Sequence, residues 1–349
     1  MTDLSDEIGK RKKDHLKIAL SGDSQVGNPG FSGYRFVHNA LPEIDFDEID
    51  TKTVFLGKKV NYPFFISCMT GGVADGEKIN KNLATAAQKY NIPMGVGSQR
   101  IAVENPDLKR IFSVRKFAPD IPVMANIGLV QLNYGVGLKE LKEAIKMVEA
   151  DALVFHINPI QEAIQPEGDR NFKNLVFKLK NVIKKLSVPV IVKEVGFGLS
   201  EEVVARLYDA GVKIFDTAGW GGTNWALVEG LRGKADKNLG QLFANWGIPT
   251  AESIKMCYEF KSKISSVAGH SPMTILGSGG VRSGVDIAKA LALGADLAGI
   301  AAPFAKAALE SEQAIHKLIE RYIKELKIAM FGVGAKNIDS LKKSPLVKI

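Results

Sequence analysis

Cysteine is almost absent from this 349-residue chain: Cys68 and Cys257 are the only two. They cannot build a disulfide framework or a four-cysteine zinc site. No apolar run is fit to span a bilayer, because the longest, over 291–309, is rich in Gly and Ala and broken by Asp296, Pro303 and Lys306. The first residues are polar and charged, with no apolar core for a secretory signal. Low-complexity linkers and sequence repeats are missing as well. These absences point to a reduced, cytoplasmic protein with no membrane partner. What remains is an ordinary globular composition, 46% hydrophobic and 24% charged, which excludes a wholly disordered chain. Lys and Arg exceed Asp and Glu to give a formal charge of +8, a surplus that suits an anionic small molecule as well as a polyanion.

Glycine is the residue in excess, at 34 against a usual share of about 7%. Its clusters follow short apolar runs, at 69–72, 95–97, 219–222 and 277–280, where it marks a tight turn or backbone approached closely by a ligand. Eight apolar runs read as buried strands, at 64–67, 93–96, 123–126, 153–157, 190–193, 213–216, 274–276 and 297–301. Stretches of helical period lie between them, at 78–90, 138–149, 172–186, 200–210, 253–262 and 285–293. Continuous strands alternating with amphipathic helices indicate a parallel sheet covered by helices. Eight units close a (β/α)8 TIM barrel, whereas a doubly wound sheet more often has five or six strands. The expected organisation is one domain over 1–349, with 1–50 as a basic N-terminal extension, a helix over 305–326 and a C-terminal tail over 327–349.

Barrel chemistry sits at the C-terminal ends of the strands, and polar residues gather there. Strand one leads to Met69 and Thr70, strand two to Ser98, Gln99 and Arg100, and strand three ends in Asn126. Strand four runs into His156, Asn158, Gln161 and Glu162, and strand five ends in Lys193. Thr223 follows strand six, Gly280, Val281 and Arg282 follow strand seven, and Ala301 and Ala302 follow strand eight. The loop at 277–284 is either a tight turn or, with Arg282 and the helix behind it, a phosphate cradle. Lys193 either snorkels to solvent or faces an anion or an electron-rich ring. Glu162 among amides and an imidazole suits Mg²⁺ held mostly by water and phosphate oxygens, and does not suit zinc. The basic cluster at 10–13 reads as a solvated helix face, a nucleic-acid or membrane contact, or an arm folded over a neighbour's barrel mouth.

These residues carry a resemblance. The segments at 11–15, 38–43, 69–72, 97–100, 156–162, 165–169, 193–196, 221–225 and 278–284 are similar to the motifs of the type 2, FMN-dependent isopentenyl-diphosphate isomerases. The resemblance implies a homo-oligomer, a tetramer or octamer, using reduced FMN, Mg²⁺ and NAD(P)H as reductant, with a small allylic diphosphate substrate and no nucleic acid. Cys68, Met69, Thr70, Ser98, Asn126, Lys193 and Thr223 would contact the flavin. Gly280, Val281, Arg282, Ala301 and Ala302 would hold its phosphate end. Arg11, Lys12, Ser98, Gln99, Arg100 and Asn158 would meet the substrate diphosphate, with Glu162 on Mg²⁺ and Gln161 near the reacting carbons. Gln161, Lys193 and His156 are the catalytic candidates. Ala218 stands where many members have Ser. Another FMN barrel, an α-hydroxy-acid oxidase, would want a histidine base near strand seven, where only His270 comes close. A purine-nucleotide dehydrogenase would need a cysteine nucleophile in a mobile loop, and a basic scaffold protein would leave the rim residues without a role.

Overall fold

The computed structural model describes residues 14–69, 76–233, 235–265 and 271–349. Eight parallel strands close into a barrel. In chain order they are β1 (Phe64–Ile66), β2 (Met94–Gly95), β3 (Val123–Gly128), β4 (Ala152–Ile157), β5 (Val190–Glu194), β6 (Ile214–Asp216), β7 (Thr274–Ser278) and β8 (Leu297–Ile300). β8 pairs with β1, so no edge remains.

Alternation of side chains divides the core in two. Phe65, Met124, Val154, Ile191, Ile214, Leu276 and Leu297 fill the barrel interior, and Phe55 joins them from the hairpin Thr53–Phe55 and Lys58–Val60. Phe64, Ile66, Val123, Ala125 and Phe155 face the surrounding helices. Those helices bury the expected face: in Gly76–Tyr90 it is Ile79, Leu83, Ala86 and Ala87, at spacings of three and four.

Caps and carboxylates fix the remaining ends. Ser200 accepts the Val203 N–H and Ser283 the Asp286 N–H at helix starts. At the strands' N-terminal ends, Asp151 accepts the Val123 N–H and pairs with Lys58 and Arg115. Asp296 accepts the Ile275 N–H and pairs with Lys261 and Lys342.

Both termini differ in part from expectation. The helix expected over 305–326 is two helices, Ala302–Glu310 and Glu312–Gly332, separated at Ser311, whose extended backbone and side chain cap the second. The stretch 327–349 is ordered throughout. It finishes that helix, adds a helix at Ile338–Lys342, and ends as a strand, Leu346–Lys348, antiparallel to Tyr34–Phe36. Near the other end, residues 14–21 are helical. Residues 24–26 then lie along the loop after β6: Val26 donates to Gly222 O, and Asn224 donates to Ser24 O.

Candidate active site

One cavity opens at the C-terminal ends of the strands, and nearly every rim residue singled out above lines it. Cys68, Met69, Ser98, Arg100 and Asn126 do so on one side, and His156, Asn158, Gln161, Glu162 and Lys193 on the next. Thr223, Gly280, Val281, Arg282, Ala301 and Ala302 complete it. Arg11, Lys12 and Thr70 lie outside the described residues, as does His270. Gln99 is the exception. It is fully buried and turned away from the cavity, its Nε2 donating to Ala144 O and its Oε1 accepting the Asn126 N–H. It ties β3 to a helix, so the expected contact with a diphosphate is not made by this side chain.

Around Glu162 the polar groups form a chain. Asn158 Nδ2 donates to Glu162 Oε1 at 2.9 Å and to Gln161 Oε1 at 3.0 Å, and the Asp169 N–H donates to Glu162 Oε2 at 2.7 Å. Asp169 Oδ2 in turn accepts from Arg100 Nη1 and Gln131 Nε2. Two buried oxygens in this network, Asn158 Oδ1 and Gln131 Oε1, have no hydrogen-bond partner among the described residues. A buried acceptor without a donor costs about 1–3 kcal/mol, and a hard cation would relieve it. Among the described residues no group of three His, Cys, Asp or Glu could hold a metal. The donor set of carboxylate and amide oxygens therefore fits Mg²⁺ and does not fit zinc.

A different set of residues forms the inner end. Lys193 Nζ donates to Glu194 O at 2.8 Å and lies 3.8 Å from Asp216 Oδ2. His156 Nδ1 meets Asn126 Oδ1 at 2.8 Å. Burial pushes the Cys68 thiol up to about 11, against the pull of its hydrogen bond with Asn126 and of the Lys193 charge, so it is a neutral wall. Elsewhere in the cavity lining, Met69, Val281, Ala301 and Ala302 add apolar surface.

The glycine-rich loops are pressed against each other. A methyl on Gly279 would sit 2.3 Å from Gly219 O, and one on Gly280, whose φ is +67°, 2.2 Å from Gly221 O. Arg282 Nη1 clasps the same two loops through Gly221 O and Gly280 O. Close backbone packing thus accounts for the glycines by itself. The helix after Ser283 has its first donors occupied: Arg282 N–H by Asp286, Gly284 N–H by Glu325, and Asp286 N–H by Ser283. These three N–H groups are therefore already taken by the chain's own acceptors. At the start of Ala302–Glu310, which has no side-chain cap, Pro303 carries no N–H and the Phe304 and Ala305 N–H groups bond Ala301 O, so of the first turn only the Ala302 N–H is left without a partner among the described residues.

Three contributors were missed in the sequence. His15 lines the cavity, packs edge-on against Trp225, and sets Nε2 2.9 Å from Glu229 Oε1. Glu229 is fully buried and also accepts from Gln161 Nε2 at 2.9 Å and Arg232 Nη1 at 2.6 Å. Burial pushes its carboxyl up, but His15, Gln161 and Arg232 outweigh that and hold it below the ordinary value. Gln25 Nε2 donates to Thr223 Oγ1, and its Oε1 accepts from Arg282 Nη2. Residues 15–25 thus lie at the mouth of their own barrel, whereas the basic cluster at 10–13, for which the sequence left open its own barrel or a neighbour's, lies outside the described residues. One signal for Glu229 was present, a lone carboxylate in the apolar run 225–231 after a glycine-rich loop.

Comparison with known proteins agrees with this geometry. The FMN-dependent dehydrogenase family profile matches residues 25–106 and 147–348. Isopentenyl-diphosphate delta-isomerase of Nostoc sp. is 49% identical over 347 residues, 98% of this chain and 97% of that one. Its counterpart in Rickettsia bellii is 48% identical, covering 97% of each. Among solved structures, mandelate oxidase superposes with a TM-score of 0.66 at 16% identity over 99% of both chains. Flavocytochrome b2 does so with a TM-score of 0.70 at 18% identity, over 97% of this chain and 82% of that one. At such identities these structures speak to the fold alone. The chain belongs to the FMN-dependent dehydrogenase family of barrels and, within it, to the isopentenyl-diphosphate delta-isomerases.

Proposed function

We propose that this protein interconverts isopentenyl and dimethylallyl diphosphate, a proton shift across an allylic system with no net redox change. Reduced FMN at the barrel mouth, Mg²⁺ at Glu162 and NAD(P)H as reductant complete the reading, in a cytoplasmic homo-oligomer of four or eight subunits. The observation that supports it best is a single cavity that joins buried oxygens without a partner among the described residues, beside Glu162, to a buried Lys193 and an apolar lining that includes Met69, Val281, Ala301 and Ala302. A diphosphate with a short hydrocarbon tail, set against a flavin, matches that mixture.

Reduced FMN, when bound, supplies an electron-rich ring bearing an acid–base nitrogen beside the alkene. The chain's own residues do the rest. Asn158, Gln131 and Glu162 offer oxygens to Mg²⁺, while Arg100 and Ser98 face the diphosphate, so that binding energy remote from the alkene positions its carbons. Gln161 bridges this anchor to the ionised Glu229 through Nε2, which places a base one hydrogen bond behind it. His156 is held by Asn126. Lys193 favours negative charge on whatever ring faces it. His15, Leu16, Ala19 and Leu20 of the N-terminal helix line the entrance and exclude water from it.

The purified protein should show a flavin spectrum that bleaches anaerobically with NADPH. Only the reduced, Mg²⁺-supplied sample should then equilibrate the two diphosphates. Full activity in flavin-stripped protein would refute the reading.

A further inference from the structure

Lys193 and Asp216 are opposite charges sealed in the floor of the cavity. They stand in register on β5 and β6, their side chains 8% and 3% exposed. Lys193 Nζ lies 3.8 Å from Asp216 Oδ2. The carboxylate's other oxygen accepts from Ser278 Oγ on β7 at 2.5 Å, and the Ala218 N–H also donates to it. Burial raises the Asp216 carboxyl above the ordinary aspartate value, and Lys193, Ser278 and the Ala218 N–H offset only part of that rise. The Lys193, Ser278 and Ala218 groups that meet Asp216 are a cation and two donors, the partners that an acceptor-only carboxylate requires.

The other titratable groups near Lys193 do not substitute for it. The Glu194 carboxylate, pushed by burial up to about 7 and drawn down by its backbone donors and by the Lys193 charge, gives Oε2 to the N–H groups of Val195, Gly196 and Phe197 and forms no close ion pair with Lys193 among the described residues. Cys68 on the far side is a neutral thiol. His156, in register on β4, is turned to Asn126. An ammonium buried without a counter-ion drifts toward its neutral form, and a paired one does not.

We propose that Asp216, oriented by Ser278, is a positioning residue for the isomerisation: it keeps Lys193 charged and in place, so that a fixed cation already waits where the flavin ring binds. This rests on the reading that Lys193 faces the flavin. The two charges of the pair offset each other before the cofactor arrives, which limits the cost of burying the lysine.

The test is reductive methylation of the full-length chain across pH 6 to 11, followed by peptide mass spectrometry, since only a neutral amine reacts. The pH midpoint for Lys193 is compared with that of exposed Lys184. Asp216→Asn should lower the Lys193 midpoint by about one unit or more, a roughly tenfold gain in neutral amine below the midpoint, and leave Lys184 unchanged. Ser278→Ala should shift it the same way by less, and it carries the comparison if Asp216→Asn does not fold. An unmoved midpoint overturns the inference. So does faster labelling at an unmoved midpoint, which would mean that the substitution only loosened the pocket. A separate arm adds saturating FMN to the wild-type chain. Protection of Lys193 is expected, and its absence would refute the flavin contact while leaving the ion pair standing.

Discussion

At Glu162 both carboxylate oxygens are engaged before any cation arrives, one by Asn158 and the other by the Asp169 N–H. Glu162→Gln would set an amide NH2 against one of those two donors. The Mg²⁺ concentration for half-maximal isomerisation should then rise about tenfold or more, as read from a metal titration. Glu229 answers to a different physics. Arg232 beside it is only 2% exposed, so Glu229→Gln leaves a buried guanidinium with Glu167 as its remaining anion. A loss of about 3 kcal/mol is expected in denaturant unfolding. The sequence showed which rim residues carry chemistry because strand ends are countable. It did not show where each side chain points. Gln99 faces the wrong way because its two polar ends bond backbone on both sides, and a single position in the sequence does not record that choice.

Among the elements, the strands were legible because β-branched runs buried on both faces leave little else to read. Boundaries moved by a residue or two, as at Val123–Gly128 and Thr274–Ser278. The break at Ser311 was not legible, because apolar spacing continues through it and only the serine's own cap marks the restart. The loops after β6 and β7 show why glycine can mislead: their requirement comes from each other. Gly280→Ala places a methyl against Gly221 O at a positive φ. It should cost about 2 kcal/mol or more in stability and weaken FMN retention, checked by thermal unfolding and by flavin fluorescence after dilution.

For the molecule as a whole, the far end of the barrel matters as much as the mouth. Asp296 links β7, a surrounding helix through Lys261, and the C-terminal helix through Lys342. Burial pushes its carboxyl up, but Lys342 and Lys261 outweigh this and hold it below the ordinary aspartate value. A group with a depressed native pKa stabilises fully above its unfolded pKa, about 3.9, and that contribution is lost as pH falls through the native value. Asp296→Asn should therefore cost about 2–4 kcal/mol at pH 7. The difference from wild type should shrink on acidification below about pH 4, as followed by unfolding curves at several pH values. None of this was visible in the sequence, because Lys342 lies 46 residues from its partner in a stretch whose composition reads as a tail.

Gln25 touches both Thr223 and Arg282, the first expected against the flavin and the second at its phosphate end. A phosphate arriving at Arg282 would compete with Gln25 Oε1 for the same guanidinium, so that seating the nucleotide would also loosen one of the bonds that hold residues 24–26 along the loop after β6.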